Sequence, residues 1–452
     1  MQNFSTPSQV AGRHHAKISA MQQPSAETIA YMDELTKLNR HVLGPGKIAL
    51  SEWEKAGLDL PNESAIRHYR LARVRQKLRE HNCMGIVLYD PVNVRYATDS
   101  TNMQVWVTHN AARYAFIGAE DNGPVIIFEF SHCEHLNLHT DVVTEIRPTQ
   151  AWFYLISGDR IEEHAKKWAA EVADLVKTHG GGNTRLAIDR CNYEGLMELT
   201  RHGVEFYNGE TIMELAREIK HPEEIKAMRC AIEACERSMD IMKSKLVPGV
   251  LEQELWGHLH SANIARGGEW IETRILSSGP RTNPWYQECS SREIQNGDLM
   301  AFDTDLVGSY GICVDISRTW LCGDKGPTAL QKDVYKRAHE QIQRNMELML
   351  PGTSYRDLTF NTLQYDPAVF NTYTVQYHGV GMCDEAPAIY FPDAWDAYGW
   401  DGHLLPGMVI CVESYVGYKT GGEGVKLEDQ VLITETGYEK LSNYPYEEEL
   451  LK

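Results

Sequence analysis

The chain has 452 residues, 42% of them hydrophobic, and carries 44 basic against 63 acidic side chains, a formal charge of 44 − 63 = −19. Chains of this size bury more than one core, so two domains are expected behind an N-terminal arm. The negative balance argues against a nucleic-acid or anionic-membrane partner, and the lack of any run of about 18 apolar residues argues against a membrane span.

The N-terminus, MQNFSTPSQVAGRHHAKISAMQQPSAET, is polar and has no apolar signal-peptide core. It reads as a flexible arm, or one that docks on a partner subunit, over 1–64, with a helix over 27–43 ended by the breakers Gly44-Pro45-Gly46. A second helix over 64–80 precedes MGIVLYD (84–90), a short apolar run of buried-strand type. RYAFIG (113–118), PVIIFEF (124–130) and RLAID (185–189) read as further strands, and 160–177 and 211–220 as helices. This alternation predicts an α/β domain over 65–217. From His221 the character changes: Ile225, Met228, Ile232, Cys235, Met239 and Met242 recur at helical spacing behind Pro222, a stripe expected to pack in a core. A helix over 253–265 follows, then a strand-rich region, so a second domain of α+β type spans 218–452. Ten cysteines without a CxxC pair suit reduced thiols in a cytoplasmic protein.

The chemistry lies in the second domain. In DLMAFDTDLVGSYGICVDISRTWL, Asp303 and Asp305 stand two apart on an expected strand, so both leave one face. Gly308 and Gly311 turn the chain, and the next strand carries Asp315. Phe302, Leu306, Val307, Ile312, Val314, Ile316 and Trp320 make these strands too apolar for a solvated acidic ribbon. His378 lies in QYHGVGMCDEAP, where Gly379 and Gly381 permit close backbone approach. Glu413 in MVICVESYV and Glu428 in GVKLEDQVLIT are carboxylates within apolar strands, and each needs a cation or a proton. Five carboxylates and an imidazole gathered at one point imply a metal centre, with two ions. Such ligands suit iron, manganese, cobalt or zinc.

The order Asp, Asp, HGxG, VE and LED, after the helix announced by IKHPEEIKAMRCA, resembles the pita-bread fold of methionine aminopeptidase, prolidase, aminopeptidase P and creatinase. The first domain, notably RLARVRQKLREHNCMGIVLYDPVNVRYAT, resembles the N-terminal domain of prolidase and creatinase. The resemblance implies a creatinase-like α/β domain followed by a pita-bread metal-binding domain. The departures are informative. Where the peptidases carry a Pro-His pair, this chain reads GPRTNPWYQE, with Trp285 in place of the histidine; before the Glu-x-Pro, where they carry a second histidine, it has Asp384. The family spacing of the first acidic ligand falls on Thr304, flanked here by Asp303 and Asp305, and this leaves open which of the two binds metal.

These departures resemble the dimethylsulfoniopropionate lyases of marine bacteria. That resemblance implies cleavage to dimethyl sulfide and acrylate, an iron-type metal site and a homodimer. The substrate would be a small zwitterion with a carboxylate, a sulfonium and a weakly acidic C–H beside the carboxylate. Asp384, site-facing but outside the metal set, is then the base of a β-elimination. The sulfonium needs aromatic faces, for which Trp285, Tyr373, Tyr377 and Trp106 are the candidates, though each also suits a plain core role. Two alternatives remain at this point: a metallohydrolase of Xaa-Pro peptides or creatine-like amidines, and a metal-free binding module.

Overall fold

The computed structural model describes residues 43–452, the strand Lys17–Ile18 and the helical position Ala30. The helix expected over 27–43 lies almost wholly outside the described residues. The chain divides into two compact units, one holding Asn62–Arg217 and the other Leu43–Pro61 with Glu218–Lys452.

In the first unit, β1 (Lys17–Ile18), β2 (Gly85–Leu88), β3 (Tyr114–Gly118), β4 (Val125–Glu129), β5 (Glu145–Pro148), β6 (Arg185–Ile188) and β7 (Glu205–Asn208) form one sheet in the order β1-β5-β4-β3-β2-β6-β7. The parallel pair β6–β7 is joined by the helix Tyr193–Arg201, the crossover that parallel strands require. Tyr114, Phe116, Ile126 and Phe128 on one face pack with Trp168, Ala169 and Val172 of the helix Ile161–His179. Their alternates Ala115, Ile117 and Ile127 are equally buried, which is why these strands read as unbroken apolar runs. β2 ends two residues before the expected position because the Tyr89 and Asp90 amides donate to the Asp189 carboxylate, at 2.7 and 3.0 Å. Asp90 then caps the helix Pro91–Thr98.

The second unit includes a segment that the sequence assigns to the arm. In the helix Lys47–Ala56, Ala49 and Trp53 pack on Cys230 and Ala234 of the helix Pro222–Lys243. Glu52 accepts two hydrogen bonds of 2.8 Å from Arg266. Gly44 does more than break a helix: its carbonyl oxygen lies where a Cβ on Gly267 would meet it at 2.4 Å.

The site is built on the strands of this unit. β9 (Leu276–Ser278), β10 (Leu299–Phe302) and β13 (Arg318–Leu321) form one small sheet, and β8 (Trp270–Ile271), β11 (Leu306–Val307) and β12 (Cys313–Val314) another. The largest sheet runs β16 (Asp384–Tyr390), β15 (Val375–Val380), β17 (Val409–Tyr418), β18 (Gly424–Ile433), β19 (Tyr438–Lys440), with β14 (Phe370–Thr372) beside β17. Ile410, Val412, Val416, Val425, Leu427 and Val431 pack with Val334, Ala338 and Ile342 of the helix Ala329–Met346. Period two then sends the alternate residues of β17 and β18 to the opposite face.

Arg318 and Asp429 form a fully buried ion pair of 2.8 Å. Arg318 also donates to the carbonyls of Glu428 (2.6 Å) and Ser317 (2.9 Å), tying the strand that carries Glu428 to its neighbour. Asp429→Ala would leave the guanidinium buried and unpaired, so a loss of about 3–5 kcal/mol is expected. Denaturant unfolding checks this through its midpoint.

Candidate metal centre

Three acids come from the small sheets, but not from strand faces. Asp303, Thr304 and Asp305 form the three-residue link between β10 and β11, and Asp315 follows β12. The strand alternation expected for Asp303 and Asp305 is therefore replaced by a turn, in which Asp305 takes φ 37°, a left-handed conformation that aspartate tolerates. Thr304 holds the turn: its hydroxyl donates to the Val314 carbonyl at 2.8 Å and accepts from the Ile316 amide at 2.9 Å. Those two bonds set Asp303, Asp305 and Asp315 side by side, with donor atoms within 4.8 Å of one another.

The remaining donors come from the large sheet. His378 is opposite Cys411, Glu413 is opposite Glu428, and Cys411 and Glu413 are two residues apart, so all four side chains share one face. Tyr377, adjacent to His378 on β15, faces the other way. It is fully buried in the core and donates to the Asn345 carbonyl at 2.9 Å, so its reading as a substrate contact is corrected to core packing. The glycines of HGVG serve close approach to the neighbouring segment: a Cβ on Gly379 would meet the Ala386 carbonyl oxygen at 2.4 Å, and one on Gly381 the Glu385 carboxylate at 2.4 Å.

His378 is oriented for coordination. Its Nδ1 lies 3.0 Å from the Gly379 carbonyl, and a carbonyl only accepts, so Nδ1 carries a proton and Nε2 is the nitrogen that faces the acids. Nε2 is 3.0 Å from Glu413 Oε1 and 3.5 Å from both Asp315 Oδ2 and Glu428 Oε1. Lys426, two residues before Glu428 on β18, points to the same face and is fully buried. Its Nζ is 2.7 Å from Glu413, 2.9 Å from Glu428 and 3.0 Å from Asp303. The Ser317 hydroxyl lies 2.5 Å from Asp303 and 2.9 Å from Glu428, and Thr273 donates to Asp305 at 2.5 Å.

The charges define what the site can hold. Five buried carboxylates against the one ammonium of Lys426 leave a formal −5 + 1 = −4. Burial, reinforced by their acidic neighbours, pushes Asp305 and Asp315 well above the usual carboxylate range, and burial with Glu428 beside it raises Glu413 to about 8. Burial also opposes ionisation of Glu428, but Lys426 and His378 outweigh it and hold Glu428 well below its ordinary value. Burial disfavours a charged His378, yet Asp384, Glu413 and Glu428 hold the ring protonated well above its ordinary range. Asp315 Oδ1 is buried with no hydrogen-bond donor among the described residues. A cation would relieve the same burial and repulsion that raise these carboxylates, so the donor set fits a metal ion.

Around this centre, Asp384 opens β16 with its side chain 60% exposed, and its Oδ1 is 3.7 Å from His378 Nδ1. Trp285 is buried against Tyr415, with ring centroids 5.7 Å apart, while Tyr373 is half-buried and stacks on Tyr286 at 5.3 Å. Lys426 Nζ lies 4.6 Å from the Tyr373 ring and 6.0 Å from that of Trp285. Trp106 belongs to the first unit, where it packs on Phe130 and Phe153.

Four residues of the site escape the sequence reading. Lys426, Cys411 and Ser317 each stand two positions from a proposed ligand, so period two was a usable signal for the first two. Nothing local marks Thr273, which reaches Asp305 from a different part of the chain.

Residues 70–219 match the creatinase/prolidase N-terminal domain and residues 226–435 match metallopeptidase family M24. The fold agrees: an Xaa-Pro dipeptidase from Bacillus anthracis superposes with a TM-score of 0.67 at 23% identity, covering 84% of this chain and 98% of that one. A prolidase from Pyrococcus horikoshii gives 0.66 at 19%, covering 84% and 99%. Fold and donor set together define a two-unit protein of the creatinase–prolidase class with an M24-type site. Within that class, a dimethylsulfoniopropionate lyase DddP from Roseovarius nubinhibens is 45% identical over 419 residues, 91% of this chain and 94% of that protein. Its namesake from Roseobacter denitrificans is 44% identical over 92% and 94%. A probable dipeptidase PepE from Mycobacterium bovis reaches 28% over 52% of this chain and 61% of its own length. The chain belongs to the dimethylsulfoniopropionate lyase DddP family.

Proposed function

We propose that this protein cleaves dimethylsulfoniopropionate to dimethyl sulfide and acrylate by β-elimination, with Asp384 as the base. The observation that carries this reading is the 44–45% identity over more than nine-tenths of the chain to two lyases of that name. The site supports it: a buried acidic donor set with one open carboxylate beside it. Hydrolysis of Xaa-Pro peptides or creatine-like amidines is not favoured, since the peptidase relative matches less closely and over half the chain, and a metal-free binding module is at odds with the retained donor set.

Asp303, Asp305, Asp315, His378, Glu413 and Glu428 are the proposed ligands, for iron and for two ions, with manganese, cobalt and zinc suiting the same donors. A bound ion offers positive charge to the substrate carboxylate and so acidifies the neighbouring C–H. Asp384 takes that proton. The C–H electron pair becomes the new C=C bond, the C–S bond breaks with its pair on sulfur, and neutral dimethyl sulfide leaves. Partial desolvation above the acidic centre, with Glu428 nearby, raises Asp384 above the usual carboxylate value against the pull of His378, and a higher value makes a stronger base. His378 does not compete for it, because its Nδ1 proton is already committed to Gly379.

The rings of Trp285 and Tyr373 already lie near one cation, Lys426, which supports reading them as a wall that tolerates a sulfonium. Tyr373→Leu is expected to raise KM about 2- to 30-fold with kcat little changed, the span of one cation–π contact. Steady-state kinetics check this, and Trp106→Ala is read in the same way. We place the protein in the cytoplasm as a homodimer. The experiment that tests the function is a headspace assay on metal-analysed protein: dimethyl sulfide should appear with equimolar acrylate. Silence at every metal loading overturns the proposal.

A further inference from the structure

Neither the elimination chemistry nor the six-ligand reading uses the sulfur that faces the donor set. Cys411 is fully buried on β17, directly opposite His378 and two residues before Glu413, so strand geometry turns its thiol to the donor face. One donor atom from each of Asp315, His378, Cys411 and Glu428 lies within 4.8 Å of the others. The thiol makes a long contact, 3.9 Å, to the Asp315 carbonyl and also reaches the Glu428 carboxylate. A carboxylate oxygen in the same group, Asp315 Oδ1, is buried with no hydrogen-bond donor among the described residues. An unsatisfied acceptor, an imidazole and a thiol converging on one volume are a mixed oxygen, nitrogen and sulfur donor set.

We propose that Cys411 binds, as thiolate, the metal ion held by Asp315, His378 and Glu428. This rests on the metal centre proposed above and changes its character. Only the thiolate is a ligand, so the Sγ–H proton is released to solvent on coordination and one buried negative charge is added beside the ion. Sulfur biases the position towards zinc, cobalt and iron and against manganese and magnesium. Buried cysteines are often mere packing residues, and Cys322, also buried, belongs to no such donor group among the described residues. The two cysteines are therefore a matched pair for the test.

The test titrates metal-free protein with cobalt(II), reading bound cobalt and the absorption spectrum together. The wild type and Cys322→Ser are expected to show a near-ultraviolet thiolate-to-cobalt charge-transfer band beside the visible ligand-field bands. Cys411→Ser should bind cobalt without that band, and its preference for zinc over manganese should fall by roughly 10–100-fold, the range for loss of a supporting group at a metal site. Should Cys411→Ser fail to fold, X-ray absorption of the zinc-loaded wild type decides without a variant, through a sulfur shell at about 2.3 Å. Cobalt bound with no charge-transfer band, or a band that survives in Cys411→Ser, overturns the cysteine proposal and leaves the metal centre standing. Absence of bound cobalt overturns both.

Discussion

Asp384→Asn is expected to lower turnover of dimethylsulfoniopropionate by about 10²–10⁴-fold, the usual worth of a positioned general base, while metal content stays unchanged. Asparagine keeps the size of the side chain and removes its basic oxygen. Asp384 is the exposed acid of the group, whereas the six proposed ligands are all at least nine-tenths buried. The variant should keep its shape, because the residue beside it anchors the strand: Glu385 accepts from Lys220 at 2.8 Å and from the Met382 amide at 3.1 Å. Kinetics and elemental analysis on one preparation separate the outcomes. Loss of metal would make Asp384 a ligand, and unchanged turnover would move the base elsewhere.

His378→Ala is expected to strip the metal. Nε2 is the nitrogen donor of the centre, aimed at three carboxylates by the Nδ1 bond to Gly379. Weakening a single supporting group already costs about 10–100-fold in affinity at such sites, and removing a direct ligand should cost at least as much. A second readout follows from mass action. An ion bound only to the folded state stabilises it by about 2.7 kcal/mol at one hundred times Kd, and the unfolding midpoint rises with ion concentration accordingly. In His378→Ala that rise should shrink or vanish over the same concentrations. Equal metal content and an equal midpoint shift in both proteins would remove His378 from the centre.

Much of the site was readable before folding because its donors sit in locally distinctive settings. Glu413 and Glu428 are charged positions in apolar strands, His378 stands between a tyrosine and a glycine run, and the β17–β18 pairing places the two glutamates opposite each other. Period two also marks Lys426 and Cys411, but a lysine in a strand ordinarily sits at a solvated edge and a buried cysteine ordinarily packs, so neither stands out from sequence. The same rule misled at Asp303 and Asp305. Two residues at strand spacing predict one face, but Thr304 bonds to the neighbouring segment and turns the link between β10 and β11.

What the sequence by itself determined was the fold class, α/β and then α+β, and a set of candidate acidic donors, since hydrophobic periodicity and charge within apolar strands are properties of short stretches. Only the tertiary structure decided how those donors are neutralised and aimed. It put Lys426 among three carboxylates, turned the thiol of Cys411 towards the donors, sent Tyr377 into the core and packed Leu43–Pro61 with the second unit. Each of these depends on which strand lies beside which, and that is settled by burial summed over a whole unit rather than by any local spacing.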